Sequence, residues 1–239
     1  EMCIRDRLSR GVVTSLNRTA TYRAQQIAVA LQMWRESEIG ADPYYIFVNP
    51  NDFHGEVWRE GARDMRFRTI VGSTNIGQSG AVIRATPELH ERLRYVVFNP
   101  YWNLPRGIML EEYDPNLEED PKWYQHNGFE VMFNEDGSRW VRQLPGPENA
   151  LGDVKFIFPN PHDVFMHDTP NRQLFDRVTR AFSHGCVRVH EPLVLAEYLV
   201  AQDRGWDRER MDEFRAEGVE QWLTLRTPLD VHFEFYSVR

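Results

Sequence analysis

Residues 19–37 place apolar side chains at helical spacing. Ile27, Leu31 and Trp34 recur along one face, and Val29, Ala30 and Met33 widen it. The pattern predicts an amphipathic helix that braces the start of a domain. Gly40 to Pro43 breaks it, and from Tyr44 the rhythm becomes β. Residues 44–48 (YYIFV), 66–71 (RFRTIV) and 94–98 (RYVVF) read as strands, rich in aromatic and β-branched side chains. Residues 72–80 (GSTNIGQSG) read as a loop. The stretch from about Pro105 to Pro147 differs: a helix-like acidic run around Leu110–Tyr124, then Gly128, Gly137 and a Pro145-Gly146-Pro147 break. It reads as an insertion over one face of the sheet, a lid. Strands resume at 154–158 (VKFIF) and 163–167 (DVFMH). Residues 192–203 predict a helix, with Pro192 at its first position and Gly205 ending it. Residues 221–227 and 230–238 alternate apolar and polar, which predicts two strands pairing around Pro228.

These elements define an α+β fold, mainly β, with flanking helices. The expected division is a scar at 1–7, a helical brace at 8–43 and a catalytic domain at 44–239 with its lid at about 105–147. Composition narrows the function. Net charge is -8 and the basic residues are scattered, which argues against a nucleic-acid partner. No run approaches the roughly 18 apolar residues of a membrane span. No signal peptide is visible, which is neutral about compartment. Of the two cysteines, Cys3 lies in a patternless opening that reads as a sequencing or cloning scar. That leaves Cys186 as one free thiol to explain.

The chemistry concentrates in residues 162–190. His167 ends a predicted strand, and Cys186 follows in the run Ser183-His184-Gly185-Cys186. Gly185 permits backbone angles closed to other residues and lets a substrate approach the main chain. A thiol becomes a strong nucleophile as the thiolate, and a neighbouring histidine supplies that by taking the proton. Ordinary pKa values of about 8.5 and 6.5 need only a modest mutual shift to give an ion pair near neutrality. Backbone N–H groups around Gly185 and Cys186 are the expected donors to an oxyanion.

The run His167…Ser183-His184-Gly185-Cys186-Val187-Arg188 resembles the signature of the L,D-transpeptidase (YkuD-type) family. So do FNPYWNLP (98–105), LPGPENALGDVKFIFPNPHDVFMHDTP (144–170), RAFSHGCVRV (180–189) and GWDRERMDEF (205–214). The last block, and the insertion after NPYWNLP, resemble the Gram-negative branch that carries a lid. The likeness covers most of residues 20–238. It implies a β-sandwich catalytic domain with Cys186 as the acylated nucleophile and His167 as general base. Gly185, His184 and Asp168 would support the site, the Asp168 carbonyl by orienting the imidazole. Arg188, Ser183 and Trp102 would contact substrate. The implied reaction joins peptidoglycan stem peptides in the periplasm, forming 3→3 cross-links with loss of terminal D-alanine. It needs no metal or organic cofactor, and carbapenems are the implied inhibitors. Residues 71–87 depart from the family: the segment is longer and lacks a lysine, which leaves the acceptor open.

Simpler readings stand beside these. Cys186 could be an inert core thiol. His162, His167, His184, His190 and Cys186 could hold zinc, although their spacing fits none of the usual ligand pairs. Arg188 could pair with Glu191, and Trp102 could serve packing alone. Glu111–Asp120 reads as a solvated face of the lid, and His232 falls on the polar phase of its strand. Rival functions are an L,D-carboxypeptidase that trims tetrapeptides and a non-catalytic wall-binding protein with an unreactive Cys186.

Overall fold

The computed structural model describes residues 19–74 and 84–236. The proposed scar at 1–7, the start of the brace and the loop beyond residue 74 therefore lie outside the described residues.

The main sheet contains β1 (Tyr44–Asn49), β2 (His54–Arg59), β3 (Ala62–Gly72), β4 (Leu89–Phe98), β8 (Val154–Ile157), β9 (Met166–His167), β10 (Ala181–Ser183), β11 (Val187–Val189) and β12 (Gln221–Phe233). Its order is β10-β3-β11-β9-β8-β4-β12-β1-β2. β3 is long enough to serve twice. Ala62–Arg68 pairs with β2, and Thr69 and Ile70 pair with β11. The ladder thus returns to its start and wraps around one core. That core includes Ile46, Val57, Phe98, Phe156, Met166 and Val231, all fully buried. The fold is α+β and mainly β, as expected.

The strand at 163–167 shortens to Met166–His167. The expected hairpin around Pro228 does not form. Residues 221–233 make one strand along β4, with a register shift between Thr224 and Leu229. Two backbone amides freed there, Arg226 N and Thr227 N, donate to Asp203 Oδ1 at 2.7 and 3.0 Å. A carboxylate absorbs the irregularity that would otherwise force a turn.

Helix α1 (Ala20–Glu36) starts where predicted, with Thr19 Oγ1 accepting from Tyr22 N at 3.1 Å. Its apolar stripe is not buried as the periodicity implies: Ile27 and Leu31 are 47% and 51% exposed. Ala30 is its one buried residue, and the Trp34 ring stacks on Tyr236 at 4.9 Å and meets Phe47 of β1 at 6.3 Å. Helices α2 (Pro192–Arg204) and α3 (Arg208–Arg215) follow the nucleophile loop. The first ends at Gly205, φ 69°, and the second is capped by Asp207.

The stretch read as a lid holds its own sheet, in which β5 (Trp102–Asn103) and β6 (Phe129–Phe133) flank β7 (Arg139–Gln143). Sequence reasoning missed this hairpin, because its apolar alternation is weak. Nor is the acidic run one helix. It is a chain of short turns, Arg106–Ile108, Met109–Tyr113, Asp114–Glu118 and Trp123–His126. Pro115 and Pro121 withhold the N–H groups a continuous helix needs. Leu104, Met109, Tyr124, Phe129 and Val141 form a separate small core. At the neck, buried Asn149 donates to the Pro100 and Leu144 carbonyls at 3.0 and 2.9 Å, tying the two crossings together.

Candidate active site

The pairing of β9 with β11 brings the two halves of the motif together. Val187 is in register with Met166, and Arg188 with His167. Paired residues share a face, and faces alternate along a strand. Val187 and Met166 therefore fill the core, both fully buried. His167, Arg188 and Cys186 emerge on the other face, with Tyr113 near Arg188. On the far side of β9, Lys155 is also in register with His167. The imidazole thus has a cation on each flank.

His167 is 5% exposed, and its Nδ1–H donates to the Asp168 carbonyl at 2.5 Å. That bond fixes the tautomer and leaves Nε2 with a lone pair. Burial, then Arg188, and less strongly Lys155, hold the imidazole's pKa down at about 3, against the pull of the Asp168 bond. Burial pushes the Cys186 thiol up to about 11, although its bond to the Phe165 backbone and the nearby Arg188 oppose this. The thiol donates to the Asp163 carbonyl at 3.9 Å. This overturns the expected ion pair. With both values displaced away from neutrality, the resting site holds a neutral thiol and a neutral imidazole, each near Arg188.

The other residues divide by what they touch. Ser183 is buried, and its hydroxyl closes the loop internally, donating to the Cys186 carbonyl at 2.5 Å and accepting from Gly185 N at 3.2 Å. Its polar capacity is spent inside the loop, and the Gly185 N–H, expected to face an oxyanion, is engaged there too. Gly185 has φ 123°, which explains the glycine. His184 sits on the surface, and its Nε2 meets Glu112 Oε1 of the lid at 2.6 Å. Glu112 also pairs with Arg84 at 3.1 Å, so loop and lid are clasped together. The acidic run is therefore more than a solvated face: Asp114 also takes Tyr124 Oη at 2.7 Å and Arg139 Nη2 at 2.5 Å. Trp102 packs edge-on against Tyr113 in the lid core, ring centres 5.9 Å apart.

Arg188 does not pair with Glu191, which instead faces His190 at 3.6 Å. Among the described residues Arg188 has no carboxylate partner, and its Nε is buried without an acceptor. The Tyr113 hydroxyl and Cys186 are its electrostatic neighbours. Three of the four histidines weighed as zinc ligands face separate partners: His167 the Asp168 carbonyl, His184 Glu112, and His190 Arg68 at 2.7 Å.

Two side-chain roles lie outside the sequence reading, which named Asp168 for its carbonyl alone. Asp168 is buried, its Oδ2 accepting from Asp153 N at 3.0 Å and Arg172 at 3.2 Å. It lies so close to Gly152, φ 58°, that a Cβ there would come within 2.3 Å of its carboxylate. Thr86 is the second. Its Oγ1 accepts from Gly72 N and donates to the Gly185 carbonyl, both at 2.8 Å. Nothing local marks such a staple in the sequence, because its partners are 14 and 99 residues away. Thr86→Val keeps the shape and deletes both bonds. It should destabilise the fold by about 1–3 kcal/mol. Displacement of Cys186 should slow acyl transfer about 10- to 100-fold. Urea unfolding measured beside activity checks this, and unchanged stability would show that the loop holds without Thr86.

Cys186 thus precedes β11 directly, and His167 ends the adjacent strand β9. The family model for the L,D-transpeptidase catalytic domain (YkuD) matches residues 43–206. A Haemophilus influenzae protein, itself only provisionally assigned as an L,D-transpeptidase, is 33% identical over 181 residues, 69% of this chain and 35% of that protein. The chain belongs to the L,D-transpeptidase family and spans about a third of that relative's length. Among solved structures, an L,D-transpeptidase from Mycobacterium smegmatis is 8% identical with TM-score 0.35, covering 80% of this chain and 58% of that one. The catalytic domain of the Enterococcus faecium L,D-transpeptidase acylated by ertapenem is 13% identical with TM-score 0.31, covering 62% and 81%. These overall likenesses are too low to carry any part of the assignment.

Proposed function

We propose that this chain is a periplasmic transpeptidase that cross-links peptidoglycan stems through a thioester on Cys186. The observation that supports it is the meeting, on one sheet face, of a thiol, an imidazole with a free Nε2 and an arginine without a carboxylate partner. Family membership supplies the reaction class. Sγ attacks the carbonyl of the L-centre at stem position three while His167 Nε2 takes the thiol proton. The Cys186 N–H is the candidate oxyanion donor, since Gly185 N is engaged. Terminal D-alanine leaves with the proton from His167. The side-chain amine of a second stem then attacks the thioester, returns a proton to His167 and frees the thiol, giving a 3→3 link. Arg188 binds a substrate carboxylate, an anion that its buried, unaccepted Nε favours. The lid, clasped through Glu112, excludes water that would otherwise hydrolyse the thioester.

A second reading has its own support. A thiol pushed up to about 11 fits a wall-binding protein that keeps the fold without the chemistry. Thiol titration does not separate the two, because a general-base site also rests as a neutral thiol. Acylation does separate them. Purified disaccharide-tetrapeptide, incubated with wild type and with Cys186→Ala, is expected to give dimers lacking one D-alanine in the wild type alone, read by mass spectrometry. Tripeptide alone would assign a carboxypeptidase. A carbapenem should add its mass to Cys186. Failure of both, with a small alkylator still reacting at high pH, would favour the binding protein.

A further inference from the structure

Three strands from the nucleophile loop, the sheet gathers a second set of chemical groups. His232 on β12 lies directly opposite His90 on β4, and Asp230 follows on the same face of β12 two residues earlier. One ligand atom from each of the three lies within 4.8 Å of the others. The imidazoles stack with ring centres 4.1 Å apart. His232 is 1% exposed, and neither ring nitrogen has a hydrogen-bond partner. The sequence placed this histidine on the polar face of its strand, but the fold buries it against the Tyr45 ring, 5.8 Å away. A buried imidazole with both nitrogens unmet is costly. The ion-pair network of Glu38, His90, Asp230, Arg92 and Asp42 does not explain it, because none of its members bonds to His232.

The surroundings are oriented for a cation. His90 Nδ1 donates to Glu38 Oε2 at 2.9 Å, which leaves Nε2 as a lone pair. His90 Nε2 lies 3.6 Å from Asp230 Oδ2, so an ion between the two would meet both. Asp230 Oδ1 is held separately by Arg92 Nε at 2.9 Å. Metal–ligand bonds of about 2.1 Å at tetrahedral angles would put neighbouring ligand atoms roughly 3.4 Å apart. The carboxylate on His90 Nδ1 is the outer partner that metal-bound histidines characteristically have. A cavity of about 330 Å3, lined by Met33, Ser37, Glu38, Glu88 and Glu234 beside the two histidines, gives an entry path and room for a water as fourth ligand.

We propose that His90, Asp230 and His232 form a structural site for a divalent transition metal, with Zn2+ the best fit to two imidazoles and one carboxylate. The ion would join β4 to β12. Through Glu38 it would also anchor the segment that follows α1. The site shares no residue with the acyl-transfer face, so it stands or falls independently of the proposed reaction.

The test uses the full chain in a Cys3→Ser, Cys186→Ala background, which removes thiol ligands. Zn2+ binding is followed by calorimetry and Co2+ binding by visible absorption. One equivalent should bind with micromolar or tighter affinity. Co2+ should show the intense bands of a four-coordinate site between roughly 500 and 700 nm, and Zn2+ should raise Tm. His90→Gln, at a partly exposed position that the fold tolerates, should weaken binding at least 100-fold. Asp230→Asn should do the same, with unchanged circular dichroism confirming the fold. No stoichiometric binding up to 1 mM Zn2+, or binding that both variants retain, would overturn the proposal.

Discussion

Replacing His167 with glutamine should slow acylation of Cys186 by about 10^2–10^4-fold at pH 7, the usual contribution of a positioned general base. The wild-type pH profile should be as telling as the loss. A thiol near 11 and an imidazole near 3 leave the reactive pair, neutral thiol and neutral imidazole, dominant across the whole range between. The acylation rate, read as kcat/KM for a carbapenem or a tetrapeptide, should therefore stay nearly flat from about pH 4 to pH 10, because that parameter reports the free enzyme's groups. In the His167→Gln variant the rate should instead climb about tenfold per pH unit, since only spontaneous ionisation of the thiol remains. A wild-type limb near pH 6 or pH 8 would mean that the site works as a thiolate–imidazolium pair.

Acid should unfold this protein through the same residue. His167 has an ordinary pKa of about 6.5 when unfolded and about 3 when folded. Below pH 6.5 the unfolded chain binds a proton that the native state refuses, so the stability that the neutral imidazole carries is lost as pH falls toward 3. At about 1.4 kcal/mol per pH unit, lowering the pH from 6.5 to 4 should cost roughly 3 kcal/mol through His167 alone. The groups facing it give no relief: Arg188 and Lys155 are cations, and the Asp168 carbonyl is its one acceptor. His54, held down to about 4 by burial and by Arg66 and Arg180, adds a smaller share in the same direction. Urea unfolding at pH 7, 5.5 and 4 measures the slope. His167→Gln should flatten it, and an equal slope in the variant would assign the acid sensitivity to other groups.

Both expectations rest on the flanks of His167, and those flanks separate what can be read along the chain from what cannot. His167 and Cys186 are legible in sequence because the tight Ser183-His184-Gly185-Cys186 run and the strand-end histidine are local patterns. The expected mutual activation was not fulfilled in the resting site. Burial holds the imidazole neutral first of all, and the cations that add to it arrive on two other strands, Arg188 from β11 and Lys155 from β8. Ser183, read as a substrate contact, is consumed within its own loop, and Thr86, which fastens that loop, gave no signal at all.

The sequence by itself determined the elements with strong local grammar: α1, α2 between Pro192 and Gly205, the apolar strands at 44–48 and 94–98, and the mainly β class. It also identified the family, because closely spaced chemical motifs survive as strings of neighbours. Tertiary structure alone decided that β3 closes the sheet and that 221–233 is one strand rather than a hairpin. It decided too that the stripe on α1 stays largely exposed and that His232 is buried opposite His90. The physical reason is common to all four. Periodicity reports which side of an element is apolar, whereas register, burial and the charge around an ionisable group depend on strands whose separation along the chain carries no local trace.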